Sequence, residues 1–209
     1  MKKRPPFLTF EGPDGAGKST QIAYAAGFLR ELGYEVECSR EPGGTAIGER
    51  IRELLLDKAN KDMTARTELL LYAASRAQHV EQRILPALQA GRAVVLDRYM
   101  DSTMAFQGYG RQLGRAMVEQ ANDMATGGLT PDLTFVLVLE PQAARERMSG
   151  KPLDRMELEA ESFRRRGYEG FLSLKTVDPA RIVLLDARQS IEELSEAIGR
   201  ILRERICKE

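Results

Sequence analysis

A glycine-rich loop near the N-terminus carries the residues best suited to chemistry. It matches the pattern of a glycine, any four residues, then Gly-Lys-Ser, and consists of Gly12, Pro13, Asp14, Gly15, Ala16, Gly17, Lys18 and Ser19. In such a loop, backbone N–H groups surround phosphate oxygens and the start of the next helix adds partial positive charge. Lys18 can reach the β- and γ-phosphates, and the Ser19 hydroxyl can bind Mg²⁺. The loop and the adjoining Thr20 therefore predict a nucleoside triphosphate site.

The segments beside the loop give it the setting that this pattern requires. Residues 7–10 form a short apolar run typical of a strand. After the loop, Ile22, Ala26 and Leu29 recur at helical spacing, and Gly33 is a suitable C-cap. The alternative is a glycine-rich strand-to-helix turn with a surface lysine.

A second candidate for the chemistry lies at the end of a buried strand. Residues 93–97 read Ala-Val-Val-Leu-Asp, the pattern of a parallel strand covered on both faces. Asp97 can bind Mg²⁺ directly or through water, and Arg98 follows at the edge of the expected cleft. The alternative is an Asp that only forms a turn after the strand.

Other polar residues occur where an open α/β sheet binds ligands. The loop at residues 40–45 follows a strand, and such loops line the ligand crevice. Tyr72, Ser75 and Arg76 can share one helix face, on which burial in a core does not explain an arginine. His79 is expected to have a surface or packing role rather than to catalyse, because phosphoryl transfer has little need of it. A short helix ending at Gly108 and Gly110 carries Ser102, Thr103, Phe106 and Gln107.

Basic residues cluster around a Gly- and Pro-broken segment after residue 146. They include Arg147, Lys151 and Arg155. Charge that develops on a transferred phosphoryl group needs cationic donors and the exclusion of water, so a small lid at about residues 147–157 is predicted. The run at 164–166 is read as a solvated helix face.

Composition excludes several classes of protein. The 209 residues carry 31 basic and 31 acidic side chains, and this balance argues against broad binding of nucleic acid or anionic membranes. Cys38 and Cys207 match no metal or redox spacing. No apolar run approaches the roughly 18 residues of a membrane span. A soluble cytoplasmic protein is expected.

Strand-like and helix-like segments alternate along the whole chain. Strands are predicted at 7–10, 35–39, 93–97, 133–139 and 181–185, with helices between them. This order predicts an α/β protein, a P-loop NTPase-type parallel sheet of about five strands with helices on both faces. Residues 1–209 are expected to form a single domain. Pro86 should kink or divide the helix at 64–90, and Ser190 with Glu193 predicts a capping box.

Two kinds of nucleotide-dependent protein fit these features. The first is a phosphotransferase with an arginine-lined acceptor site. The second is a GTPase-like switch, which requires Asn-Lys-x-Asp and a glycine three residues after its strand-end Asp. The chain has Asn60-Lys61-Asp62, one residue too short, and Met100 after Asp97, so the phosphotransferase is favoured.

The sequence resembles bacterial thymidylate kinases nearly from end to end. The motifs that carry the resemblance are Phe-Glu-Gly-Pro-Asp-Gly-Ala-Gly-Lys-Ser (10–19), Arg-Glu-Pro-Gly-Gly-Thr (40–45), Tyr-Ala-Ala-Ser-Arg-Ala-Gln-His (72–79), Asp-Arg-Tyr (97–99), Ser-Thr-Met-Ala-Phe-Gln-Gly (102–108), Pro-Asp-Leu-Thr (131–134) and Leu-Asp-Arg-Met-Glu (153–157). The resemblance implies Mg²⁺-dependent transfer of the ATP γ-phosphoryl group to dTMP. Another (deoxy)nucleoside monophosphate kinase stays the alternative.

The resemblance also implies roles for individual residues. Asp14 would hold the sugar 3′-hydroxyl, Tyr72 would stack on thymine and Arg76 would donate to a base carbonyl. Arg52 and Arg98 would clamp the acceptor phosphate, as a planar fork of donors suits two oxygens. The remaining dTMP contacts would come from Glu41, Ser75, Ser102, Thr103, Phe106 and Gln107. Glu41 and Asp97 would lie near the metal and its waters, together with Ser19.

Members of this family place a catalytic arginine either in the phosphate loop or in the lid. The loop here has no cation between Gly12 and Gly17, so the resemblance implies a lid residue, with Arg155 first and Arg147 and Lys151 second. Three positions depart from the family pattern, namely Thr103, Phe106 and Glu140. The resemblance further implies a homodimer, through the helices at 64–90 and 112–126.

Overall fold

A computed structural model describes residues 4–150 and 152–206. Its centre is a five-stranded, fully parallel sheet with the strand order β2-β3-β1-β4-β5. The strands are β1 (Phe7–Glu11), β2 (Val36–Arg40), β3 (Ala93–Asp97), β4 (Leu133–Val138) and β5 (Ile182–Asp186). The predicted fold class is confirmed, and each strand lies within about a residue of its predicted position, as is usual for such boundaries.

Helices connect successive strands. They are α1 (Lys18–Glu31), α2 (Ala46–Leu56), α3 (Ala65–His79), α4 (Leu85–Gln89), α5 (Met100–Thr103), α6 (Arg115–Thr126), α7 (Pro141–Arg147), α8 (Glu161–Val177) and α9 (Ile191–Ile206). A π-helical turn at Val80–Ile84 joins α3 to α4, and a second at Met104–Gly110 extends α5. The predicted division of the 64–90 helix therefore occurs just before Pro86. The capping box is also present, because Glu193 N–H donates to Ser190 Oγ at 3.1 Å and Ser190 N–H to Glu193 Oε2 at 2.8 Å.

The sheet is apolar on both faces, since neighbouring strand residues point to opposite sides. Leu8, Phe10 and Phe135 pack towards α1 and α9 in one buried cluster. Phe7 and Leu96 pack in another cluster with the α3–α4 connection. This two-sided cover explains the near-continuous apolar strands. On α9, Leu194 and Ile198 are buried, whereas Ile191 is exposed at the start of the helix.

Strand register brings the polar residues together at one edge of the sheet. Asp97 pairs with Phe10 on β1 and with Arg40 on β2. Glu11, Arg98 and Glu41 therefore leave the sheet side by side, at the carboxyl ends of three adjacent strands. This edge is where open α/β sheets bind ligands.

Candidate active site

The phosphate loop connects β1 to α1 at this edge. Gly12 has φ of +123°, and a Cβ there would lie 2.3 Å from the carbonyl oxygen of Leu137, so only glycine fits. Gly17, with φ of +89°, caps α1 in the left-handed region. Ala16 is buried, Gly15 lies in the loop, and Ser19 and Thr20 are exposed in the first turn of the helix. The first N–H groups of α1 have no earlier helical carbonyl to bind, so this end of the helix can bind an anion.

Lys18 is buried and folded back over its own loop. Its Nζ donates to the carbonyl oxygens of Gly12 at 3.2 Å and Pro13 at 3.0 Å. The same ammonium lies 3.6 Å from Asp14 Oδ1 and 3.8 Å from Asp97 Oδ1. Burial, and then the charge of Arg98, lower the pKa of Lys18. The contacts with the two carbonyls and the two carboxylates hold Lys18 between the phosphate loop and the end of β3.

Asp97 is suited to a cation. Within residues 4–150 and 152–206, its Oδ1 is the buried side-chain atom that has no hydrogen-bond partner. No cluster of three or more His, Cys, Asp or Glu in that part of the chain could hold a metal ion by itself. Mg²⁺ commonly binds one or two protein groups and completes its coordination with substrate phosphates and water. Asp97 with Ser19 fits that requirement.

Glu41 was predicted to lie near the metal and its waters, and this stays a prediction, since in the structure its carboxylate binds two other side chains. Glu41 Oε2 accepts from Arg76 Nε at 2.8 Å, and its Oε1 lies 3.1 Å from His79 Nδ1. Both oxygens are therefore engaged at the far side of the cleft. His79 is fully buried and its Nε2 lies 2.8 Å from Ser39 Oγ, which agrees with the expected packing role.

Arg98 connects the phosphate loop with the acceptor side of the cleft. Its guanidinium donates to Asp14 Oδ1 at 2.9 Å, to the Gly12 carbonyl at 2.7 Å and to Ser102 Oγ at 3.1 Å. Burial alone would raise the pKa of Asp14, but the charges of Arg98 and Lys18 hold it well below its ordinary value. Asp14 is therefore ionised at neutral pH and can accept a hydrogen bond from a hydroxyl.

The cleft beside this edge contains nearly all of the predicted acceptor residues. Those that line it are Asp14, Glu41, Arg52, Tyr72, Arg76, Arg98, Ser102, Thr103, Phe106 and Gln107. The ring of Phe106 stacks with Phe163 at a centroid distance of 6.1 Å and meets Phe171 edge-on at 5.3 Å. The cleft therefore has aromatic side chains in its wall, and Arg52, Arg76 and Arg98 line it as well. Such a cleft suits a planar, negatively charged ligand.

Arg76 is held rigidly at the end of the cleft that Glu41 occupies. Its three nitrogens donate to Glu41 Oε2, to Asn122 Oδ1 at 2.6 Å and to Thr103 Oγ1 at 3.0 Å. A guanidinium has five N–H donors, so two remain for a ligand. Ser75 differs from its prediction: in the described part of the chain it is not among the residues lining the cleft. It is fully buried, and its Oγ accepts from Gly43 N–H at 3.1 Å.

The lid contains the main departure from the sequence prediction. Arg155 is 6% exposed and, among the described residues, is absent from the cleft wall. Its Nη2 lies 2.7 Å from Glu68 Oε2, and its Nε donates to the Leu55 carbonyl at 2.7 Å. In this structure Arg155 therefore binds a buried carboxylate and does not line the cleft, and its predicted catalytic role stays a prediction.

The other two candidates for the lid cation are Arg147 and Lys151. Arg147 is exposed, and its Nη1 lies 3.4 Å from the Gly15 carbonyl oxygen in the phosphate loop. Lys151 lies outside the described residues. Glu140, the third departure from the family pattern, forms a surface ion pair with Arg165 at 3.2 Å and has no contact with the cleft among the described residues.

Sequence reasoning missed three buried residues that hold the site together. Glu11 accepts from Tyr99 N–H at 2.8 Å and from the Ser102 hydroxyl. Asn122 supports Arg76, and Glu68 binds Arg155, Arg111 and Gln107. The sequence does show a carboxylate directly before the phosphate loop, Glu11, and another within helix α3, Glu68. Their partners are distant in sequence, so the sequence alone does not reveal these contacts.

Comparison with known proteins is consistent across sequence and structure. The family model described as Thymidylate kinase matches residues 10–198. A thymidylate kinase of an Exiguobacterium species is 48% identical over 193 residues, covering 92% of this chain and 91% of that protein. One of Lactobacillus helveticus is 46% identical over 208 residues, covering 96% of each. The crystal structure of a thymidylate kinase from Ehrlichia chaffeensis is 31% identical with a TM-score of 0.77, covering 95% of this chain and 98% of that one.

Proposed function

The chain belongs to the thymidylate kinase family, and it is an ATP:dTMP phosphotransferase, for which we propose the following division of roles. The phosphate loop binds ATP and the adjoining cleft binds dTMP. The observation that carries the proposal is the placement of Asp14 and Arg98, which belong at once to the loop and to the cleft wall. Two substrates bound on either side of this pair would have their phosphates in proximity.

The acceptor nucleotide is held by three kinds of contact. Tyr72 stacks on the thymine ring, and Arg76 donates to a base carbonyl with an N–H that Glu41, Asn122 and Thr103 leave free. Arg52 and Arg98 bind the phosphate, and Asp14 accepts from the 3′-hydroxyl. Ser102, Thr103, Phe106 and Gln107 complete the wall, and their positions along the cleft support this assignment.

Transfer depends on positioning and on charge rather than on a strong base. Lys18 binds the phosphates of ATP once its ammonium exchanges the carbonyls of Gly12 and Pro13 for phosphate oxygens. The loop N–H groups from Gly15 to Thr20 hold the same phosphates. Arg147 is our candidate for the lid cation that stabilises the transferred group, since it already contacts the phosphate loop.

Mg²⁺ is part of the proposed reaction and would be bound by Ser19 and Asp97. When bound, it neutralises phosphate charge. The buried Asp97 Oδ1 without a partner supports this site. Lys18 would help to orient the Asp97 carboxylate, because its Nζ lies 3.8 Å from Asp97 Oδ1.

The decisive test is an assay of ADP release with a panel of monophosphates. Purified enzyme with ATP and Mg²⁺ is given dTMP, dUMP, TMP, UMP, dCMP, AMP or GMP in separate reactions. We expect a strong preference for dTMP. An equal or higher kcat/KM with another nucleotide would assign the chain to a related kinase, and turnover without any acceptor would favour a nucleotide hydrolase.

A homodimer is also proposed, with helices α2, α3 and α6 at its interface. These helices pack on one another in that order. They expose large apolar side chains, namely Ile47, Leu54, Leu70, Met117 and Met124. Exposed apolar surface on adjacent helices commonly marks a protein interface. Sedimentation velocity tests this, and a monomer at micromolar concentration would contradict it.

The predicted cytoplasmic location stays a prediction. In the part of the chain that the structure describes, none of the helices has the length and apolar character needed to span a bilayer. Cell fractionation with an antibody against the protein would test the location.

A further inference from the structure

Glu68 is a buried carboxylate that connects the acceptor cleft with the lid. It lies on α3, one turn before Tyr72, and is fully buried. Its Oε1 accepts from Gln107 Nε2 at 2.8 Å and from Arg111 Nε at 3.0 Å. Its Oε2 accepts from Arg111 Nη2 at 2.8 Å and lies 2.7 Å from Arg155 Nη2. A single carboxylate thus binds a residue of the cleft wall and a residue of the lid.

Arg155 is anchored at two further points. Its Nε donates to the Leu55 carbonyl at 2.7 Å, and its backbone N–H donates to the Leu56 carbonyl at 3.1 Å. Both carbonyls belong to the last turn of α2, which has no later helical N–H to bind them. The C-terminal end of the lid is therefore fastened to the ends of two helices that face the acceptor cleft.

Arg111 extends the same network towards α8. It binds Glu68 and Glu159, and its guanidinium lies 4.5 Å over the ring of Phe163. Charges alternate along the chain of contacts, from Glu159 through Arg111 and Glu68 to Arg155. Burial alone would raise the pKa of Glu68, but hydrogen bonds from Arg111 and Gln107 hold it below its ordinary value. Neutralising Glu68 would leave the buried Arg155 without its counter-charge.

We infer that Glu68 is a positioning residue for phosphoryl transfer, which fixes the lid through Arg155 relative to the dTMP cleft through Gln107. This inference rests on the proposed function. Glu68 is fully buried and, among the described residues, does not line the cleft, so its role is to set where the lid lies when the nucleotides are bound. A shift of about 1 Å in a catalytic group can lower a rate by about 100-fold.

The test is Glu68→Gln, which keeps the shape of the side chain and removes its charge. We expect kcat with dTMP to fall by about tenfold or more, with the KM for ATP within about twofold of wild type. In the same variant, without nucleotides, backbone hydrogen exchange across residues 152–160 should accelerate by about tenfold or more. Glu169→Gln is the matched control, because Glu169 pairs with Arg165 on the surface of α8 and, among the described residues, does not line the cleft.

Both readouts must change for the inference to stand. Faster exchange with an unchanged kcat would reduce Glu68 to a structural contact and overturn it. A lowered kcat with unchanged exchange would also overturn it, because Glu68 would then act by another route. If the wild-type enzyme does not phosphorylate dTMP, the proposed function fails. The exchange measurement still tests whether Glu68 holds residues 152–160 in place through Arg155.

A double-mutant cycle separates an anchor from a direct catalytic role of Arg155. If Arg155 acts through Glu68, Arg155→Met and Glu68→Gln should each lower kcat to a similar value, and the double variant should be no slower than either. Multiplying effects would show that Arg155 acts on the phosphoryl group independently, and would overturn the inference. Should Glu68→Gln fail to fold, Arg155→Met alone must still give faster exchange and the kcat loss.

Discussion

Replacing Glu11 by Gln should stabilise the protein, and increasingly so at higher pH. Glu11 is fully buried at the end of β1, where burial and the nearby negative charge of Asp101 raise its pKa from 4.5 to about 8. Gln can keep both contacts of the carboxyl. Its amide oxygen can accept from Tyr99 N–H, and its amide nitrogen can donate to Ser102 Oγ.

The size and sign of the effect follow from the difference in pKa. Between pH 4.5 and 8 the unfolded chain releases the Glu11 proton while the folded protein keeps it. Stability of the wild type therefore falls as pH rises, by about 1.4 kcal/mol per pH unit for this group. The loss levels off above pH 8, at about 5 kcal/mol. Gln does not ionise, so the variant avoids this loss.

The measurement is urea-induced unfolding of both proteins across about pH 5 to pH 9, in EDTA and without nucleotide. The free energy of unfolding of Glu11→Gln minus that of wild type should grow through this range and level off above about pH 8. Glu169→Gln, at an exposed position, controls for the loss of one negative charge. A Glu11→Gln difference that stays constant across the range would refute the argument, because Glu11 would then be ionised in the folded protein.

Three further predictions concern the proposed site and interface. Asp97→Asn should raise the Mg²⁺ concentration needed for half-maximal activity by about tenfold or more, because the partnerless oxygen loses its charge; a magnesium titration measures this, and an unchanged requirement contradicts it. Arg147→Ala should lower kcat by about 100-fold with little change in the KM for dTMP, and unaltered steady-state turnover would exclude it as the lid cation. Met124→Glu should shift sedimentation from dimer to monomer, since it places a charge in the proposed apolar interface; an intact dimer would remove α6 from that interface.

Local pattern was sufficient to predict the fold. Alternating strand and helix signals, with the strands apolar on both faces, indicate a parallel sheet covered on two sides. Because the carboxyl ends of parallel strands meet at one edge, residues following β1, β2 and β3 had to come together. The part of the cleft at the strand ends was therefore predictable, whereas the ligand roles of Tyr72, Arg76 and Gln107 in its wall were implied by the family resemblance.

Two charged side chains of the site have buried partners that the motifs did not reveal. Glu41 was expected near the metal and Arg155 near the phosphoryl group, and each is bound by a buried partner from another element. A motif specifies which residue types are available, but a buried charge turns towards the counter-charge that compensates its desolvation. That counter-charge is distant in sequence, as Glu68 is from Arg155, so single-sequence reasoning cannot identify it.

The buried network around Glu68 has a function that the sequence motifs do not reveal. A cation that must approach a transferred phosphoryl group has to be free to move, whereas Arg155 binds a buried carboxylate and the last carbonyls of α2. Arg147, exposed and beside the phosphate loop, is not restricted in this way. A lid that combines one fixed and one free arginine separates the two tasks of holding position and supplying charge. Exchanging Arg155 should therefore alter where the lid lies, whereas exchanging Arg147 should alter the chemistry alone.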